Sequence, residues 1–139
     1  MNLIMLLSLT VANGPGLPST FDLNCDATKS VESWRGPERT RISEERVGLL
    51  LRVDLARKLW CSGDCATTSP IASVDGSMIL FQKKEGSGGD DLTLLNRSTG
   101  EYLDRDRIFV TPNDSDIVVT RTSGSCKPAV FSGFPASKL

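Results

Sequence analysis

The residues best placed to do chemistry are the four cysteines, Cys25, Cys61, Cys65 and Cys126. Cys61 and Cys65 sit in the run Trp60-Cys61-Ser62-Gly63-Asp64-Cys65, an aromatic followed by two sulfurs, and three chemistries compete for it. Thioredoxin-type thiol-disulfide exchange uses two residues between its cysteines and a helix after them. Here three residues intervene and Ala66-Thr67-Thr68-Ser69-Pro70 follows. A soft metal would recruit a further ligand such as His or Met, and the nearest candidate is Met78. A structural disulfide asks only for a tight turn, which Gly63 and Asp64 permit. The structural reading is preferred: Cys61 bridges Cys65, which leaves Cys25 to join Cys126. Thiol-disulfide exchange at Cys61/Cys65 stands as an alternative.

Histidine is absent from the chain. That removes the usual general base near neutral pH, the usual partner of a Ser or Cys nucleophile and the commonest transition-metal ligand. Carboxylates cluster at Asp90/Asp91, Asp104/Asp106 and Asp114/Asp116, each inviting a calcium or acid-base reading. None has the spacing of an EF-hand, which needs a central Gly and a terminal Glu. Asp104 and Asp106 would share a strand face, with Arg105 and Arg107 beside them. The glycines of Gly86-Ser87-Gly88-Gly89 lack the Lys-Ser/Thr pair and helix of a phosphate cradle, so residues 85–91 read as a flexible loop. The chain is expected to carry no catalytic site, no cofactor and no metal.

These residues must be positioned by one domain, since 139 residues cannot enclose two independent cores. Sixteen basic against seventeen acidic side chains leave no net field to attract nucleic acid or an anionic membrane. Residues 1–12, MNLIMLLSLTVA, resemble a signal peptide: the apolar core from Leu3 to Ala12 is too short to span a bilayer, although no Lys or Arg precedes it. Residues 13–20 form a Gly/Pro-rich spacer, and the domain proper covers 21–139. The expected address is periplasmic or secreted, without stable membrane insertion.

Phe21-Asp22-Leu23-Asn24-Cys25 alternates like a short strand. Residues 26–46 read as a polar surface connection with one helical turn near Ser43-Glu44-Glu45, in which Trp34 caps one edge of the core. Over 47–59 two periods compete. Period two aligns Val47, Leu49, Leu51, Val53 and Leu55, and helical spacing aligns Val47, Leu51, Leu55 and Leu59. Gly48 and Val53 are poor helix residues, so a strand is expected, returning antiparallel through Leu59-Trp60-Cys61. Asp75-Gly76-Ser77 and Ser98-Thr99-Gly100 mark two hairpin turns. Arg105-Asp106-Arg107 reads as an exposed edge. Pro112-Asn113-Asp114-Ser115 is a turn before the β-prone Ile117-Val118-Val119-Thr120-Arg121. Ser123-Gly124-Ser125 bends the chain toward Cys126, and Phe131 and Phe134 fold back on the sheet.

The order FDLNC, RVDLARKLWCSGDC, LLNRSTGEY, SGSCKPAVFSGFP resembles a group of small, uncharacterised exported proteins of Gram-negative bacteria. Their pattern is an early Cys, an Asp-Leu turn leading to Trp-Cys and a second Cys, an Arg-x-Thr-Gly hairpin and a late Gly-x-Cys. The resemblance covers the chain from Phe21 onward. It implies two intramolecular disulfides and a strand at 49–55, and no activity.

The expected fold is mainly β: an antiparallel meander of seven to nine short strands, curled into a barrel or sandwich and stapled by two disulfides. The expected function is non-catalytic binding of a small apolar ligand, in a cavity lined by Leu51, Val53, Ile79, Phe81, Leu94 and Val118. The alternative is a protein-interaction module, for instance an inhibitor of an exported hydrolase, working through residues 85–91 or the 131–135 tail.

Overall fold

The computed structural model describes residues 18–110 and 116–135. Nine antiparallel strands form one sheet: β1 (Thr20–Arg35), β2 (Glu38–Asp54), β3 (Leu59–Ser62), β4 (Ser69–Pro70), β5 (Ser73–Asp75), β6 (Met78–Gly86), β7 (Gly89–Asn96), β8 (Glu101–Phe109) and β9 (Asp116–Ala129). The strand order is β4-β3-β2-β1-β9-β8-β7-β6-β5, a meander in which the first and last long strands pair. The sheet curls as a half-barrel. Its edge strands, β4 and β5, are separated in the chain only by Ile71 and Ala72. The Ile71 amide donates to the Lys58 carbonyl at 2.8 Å and the Ala72 amide to Phe81 at 3.2 Å, so this dipeptide stitches the two rims together.

Alternation explains the inner face. Along β1, Phe21, Leu23, Cys25 and Ala27 are buried, while Asn24, Asp26 and Thr28 are exposed. Leu51 and Val53 of β2, Ile79 and Phe81 of β6, Leu95 of β7 and Tyr102 of β8 complete the core, with Ile71 closing the seam. A register shift between Leu80 and Gln82 leaves Phe81 as a bulged residue. Its ring meets Trp60 of β3 at 4.8 Å between centroids, which packs the two arms of the curl against each other.

Both expected disulfides are present, Cys25–Cys126 and Cys61–Cys65. Cys25 and Cys126 lie directly opposite each other on β1 and β9, so the long bridge crosses the strand pair that joins the chain's two ends. Next along the same face, Gly124 opposes Ala27. A Cβ added at Gly124 would stand 2.1 Å from the Asp26 carbonyl oxygen and 2.5 Å from the Ala27 Cα. Gly124→Ala is therefore expected to cost about 1–3 kcal/mol by forcing β1 and β9 apart, read as a lowered Tm with both disulfides intact.

Four local expectations need correction. Residues 26–46 are not a surface connection with a helical turn: they form most of the β1–β2 hairpin, which pairs from Thr20↔Asp54 to Arg35↔Glu38. Their charges, which break the apolar alternation, serve an edge: from Glu38 to Leu49, β2 has β1 as its only strand partner among the described residues. Residues 85–91 are not a flexible loop but the ends of β6 and β7 around a turn at Ser87-Gly88. Arg105-Asp106-Arg107 does not form an edge, because β8 lies between β7 and β9. Ser123-Gly124-Ser125 does not bend the chain and continues β9 in register with β1 and β8. The turn expected at 112–115 lies outside the described residues, as does the signal-like segment 1–12.

Candidate functional site

The six residues expected to line an interior cavity do not all meet. Leu51, Val53, Ile79 and Phe81 converge in the core, each no more than 1% exposed. Leu94 points to the opposite face of β7 from the buried Leu95, and pairs with Leu80 and Leu103. Val118 sits far from the core, in register with Ser33 and Ile108. The four residues that do converge fill the space with one another and with Trp60.

The other face of the same strands carries a different construction. Asp22 and Asp54 point away from the core, yet both are buried. The segment that follows β9 explains the first of these. The Ser132 amide and hydroxyl donate to the Asp22 carboxylate at 3.2 and 2.7 Å. Arg52 Nη1 donates to the Gly133 carbonyl at 2.7 Å. Phe131 and Phe134 pack edge to face at 5.3 Å, and the Arg57 guanidinium stacks on Phe134. Arg57 in turn bonds Asp54 at 2.8 Å, and its hydrogen bonds hold the Asp54 carboxyl below the usual carboxylate range. The tail is thereby pinned to the sheet by two acids, two arginines and an aromatic pair.

Pinning the tail creates a groove. Pro18, Thr20 and Phe21 form one side and Pro128, Ala129, Val130 and Phe131 the other, around about 650 Å³ of open, mainly apolar space. Val130 stands on its rim at 93% exposure. In the sequence these residues look like a terminal coil. The legible signal was Phe131 and Phe134, placed correctly as rings folded back on the sheet, but their anchors Asp22, Arg52 and Arg57 carry no motif.

The acidic pairs separate. Asp90 turns outward and receives a forked hydrogen bond from Arg107, whose Nε lies 2.9 Å from both carboxylate oxygens. That contact draws the Asp90 carboxyl below its ordinary range. Asp91 turns the other way, accepts from Gln82 and lies opposite Asp106. Asp104 accepts from the Thr93 hydroxyl at 2.9 Å on that same face. Asp114 lies outside the described residues, and Asp116 pairs with Arg35 at 3.9 Å. Among the described residues no group of three or more acidic or sulfur ligands has the geometry to hold a metal ion.

Asp91, Asp104 and Asp106 thus repel one another across β7 and β8. Burial first, then the neighbouring Asp91 and Asp106, pushes the Asp104 carboxyl up, against the pull of the Thr93 hydroxyl. Burial and the charges of Asp91 and Asp90 push Asp106 up as well. An acid whose pKa is raised by folding binds its proton more tightly in the native state. The contribution of these two acids to stability is therefore fully present below the unfolded value near pH 4 and is lost as pH rises through the folded value, opposite in sign to that of Asp54 and Asp90. Asp104→Asn is expected to raise Tm by about 2–4 °C at pH 7, with no gain at pH 3; a pH series of thermal melts checks this.

Cys61 and Cys65 are 3% and 2% exposed, so the short bridge is enclosed at the base of the β3 turn. Compared with protein-family models, with curated proteins and with solved structures, the chain matches none.

Proposed function

We propose that this chain is an exported, non-catalytic binding protein that takes a small apolar ligand in the groove between β1 and the pinned tail. The groove itself carries the reading. Its volume lies within the range of small-molecule sites, about 300–1,000 Å³, and its walls are mainly apolar, with Phe21, Pro128, Val130 and Phe131 among them. The interior, filled by Phe81, Trp60 and their neighbours, offers no comparable support. Export is supported by the two disulfides, which persist in oxidising compartments. The non-catalytic reading is supported by the absence of histidine from the whole chain. Enclosure of Cys61 and Cys65 argues against thiol exchange there, since exchange needs an accessible sulfur.

A neutral apolar fluorophore, N-phenyl-1-naphthylamine, tests the groove. Saturable uptake is expected in the wild type and a loss of about tenfold or more in affinity for Val130→Asp, which places a charge on the rim without touching the core. No uptake, or equal uptake by the variant, removes the small-ligand reading. The exposed Val130 also favours a second reading, in which an apolar side chain of a partner protein seats in the same groove.

A further inference from the structure

A second, separate surface is the outer edge of β2. From Glu38 to Arg46 every residue is exposed, and β1 is the only strand beside this stretch among the described residues. Its backbone groups are sorted by alternation. The Leu55 amide donates to the carbonyl of Ser19, just before β1, at 2.7 Å, whereas the Leu50 carbonyl accepts from the Gly63 amide, just after β3, at 2.9 Å. In an antiparallel strand the amide and carbonyl of one residue point the same way, and successive residues alternate. The register with β1 is regular from Thr20↔Asp54 to Ser33↔Arg41. Ile42, Glu44, Arg46 and Gly48 therefore turn both backbone groups to the open edge, while Arg41, Ser43, Glu45 and Val47 bond β1. An unpaired row of this kind is a template for one more strand.

The side chains select which strand. When two copies of β2 join antiparallel about a two-fold axis, outward residues must oppose outward residues, so the axis passes through one residue. At Arg41 or Arg46 it sets arginine against arginine, and at Glu44 or Glu45 glutamate against glutamate. Nearer to Leu50 the copy runs into β3. An axis at Ile42 opposes no like charges, but it brings opposite ones together only past the register shift at Ser33/Trp34, where alternation is lost. An axis at Ser43 opposes no like charges and sets Arg41 against Glu45 twice, once on each side.

Both of those are non-hydrogen-bonded pairs, the kind whose Cα atoms approach to about 4.5 Å. Neither Arg41 nor Glu45 has an ion pair among the described residues, although Lys29 lies across from Glu45 on β1. Ile42, 49% exposed, comes diagonal to its own copy and within side-chain reach of it. The added strand ends at its turn, Gly36-Pro37, near Leu49 and Leu50, where β3 takes over the edge.

We propose that this protein forms a two-fold symmetric dimer in which the β2 edges of two copies pair about Ser43, held by two intermolecular Arg41–Glu45 ion pairs. The charges that turn other strands away from this edge thereby admit its own copy. The surface is independent of the tail groove, which is built from the start of β1 and the segment after β9.

Analytical ultracentrifugation of the intact, disulfide-bonded protein over a concentration series tests this. A reversible monomer–dimer equilibrium is expected, weakening as salt screens the ion pairs. Arg41→Glu and Glu45→Arg are each expected to weaken dimerisation about tenfold or more, since each sets like charges opposite one another twice. The double variant Arg41→Glu/Glu45→Arg opposes unlike charges again and is expected to dimerise as the wild type does. Glu44→Pro removes an amide that faces the open edge, so it is expected to abolish the dimer while the β1–β2 pairing, to which that amide does not contribute, is kept. Val130→Asp, on the rim of the tail groove, is expected to dimerise normally, which tells failure of the groove from failure of the dimer. A monomer at every concentration, single variants with wild-type affinity, a double variant without rescue, or a dimer that survives Glu44→Pro overturns the proposal.

Discussion

Replacing Cys25 and Cys126 together by alanine is expected to lower the free energy of unfolding by about 4–5 kcal/mol, the largest effect of any change considered for this protein. The two cysteines are separated by 101 positions, so their bridge removes a long loop's worth of freedom from the unfolded chain. The Cys61–Cys65 bridge, with a separation of only 4, closes a short loop. On the same chain-entropy model its removal is worth about 2 kcal/mol. Urea or guanidinium unfolding of the two double variants, with free-thiol counts to confirm that the remaining bridge is intact, measures the difference. Equal losses for the two bridges would show that strand pairing alone fixes the junction of β1 and β9. The location of the long bridge makes the asymmetry informative. It crosses the one strand pair that connects the first half of the meander to the last, and that pair forms only when residues about a hundred apart meet.

Phe81→Ala is expected to cost about 3–5 kcal/mol, the range for deleting a buried aromatic ring. Phe81 is 1% exposed, and its bulged position directs the ring between the two arms of the curl, where it meets Trp60. Removing it leaves a void at the place where β3 and β6 touch without hydrogen bonding to each other. The loss should appear as a lower denaturation midpoint and a shift in Trp60 fluorescence as the indole gains water. Phe81→Leu should recover more than half of the stability, since it returns most of the apolar contact without the ring. An Ala variant within about 0.5 kcal/mol of wild type, the scale of an ordinary surface substitution, would mean that the two arms pack independently.

Much of the architecture was legible in the chain. Alternation at Phe21-Leu23-Cys25 and at Leu49-Leu51-Val53 marked inward-facing strands, because a half-buried strand must present every second side chain to the core. The Asp75-Gly76 and Ser98-Thr99-Gly100 turns were marked by residues that tolerate the required backbone, and Gly100 does adopt a positive φ of 80°. Cysteine spacing led to both disulfides, since only Cys61 and Cys65 are close enough to bridge a local turn.

Two of these departures share one cause. At residues 26–46 and 105–107 charged side chains look in the sequence like loop or edge, whereas most of them lie on strand stretches whose faces are both at least partly open to water. Alternation is lost there because no core imposes it, and backbone pairing holds the strands together with cross-strand pairs such as Arg107 with Asp90 and Arg46 with Asp26. Composition could not distinguish such a strand from a connection.

The sites divide in the same way. Local chemistry written in the sequence determined the all-β class, the turns, the two covalent bridges and the absence of imidazole chemistry, because each depends on neighbours a few residues apart or on residue types alone. Tertiary structure decided that Leu94 would take the outer face and Val118 would lie beyond the core, that the tail would be pinned over Asp22 and Arg52, and that Arg105 would confront Arg121. Those relations depend on register between strands distant in the chain, and register is set by the collective fit of the whole curled sheet rather than by any one segment.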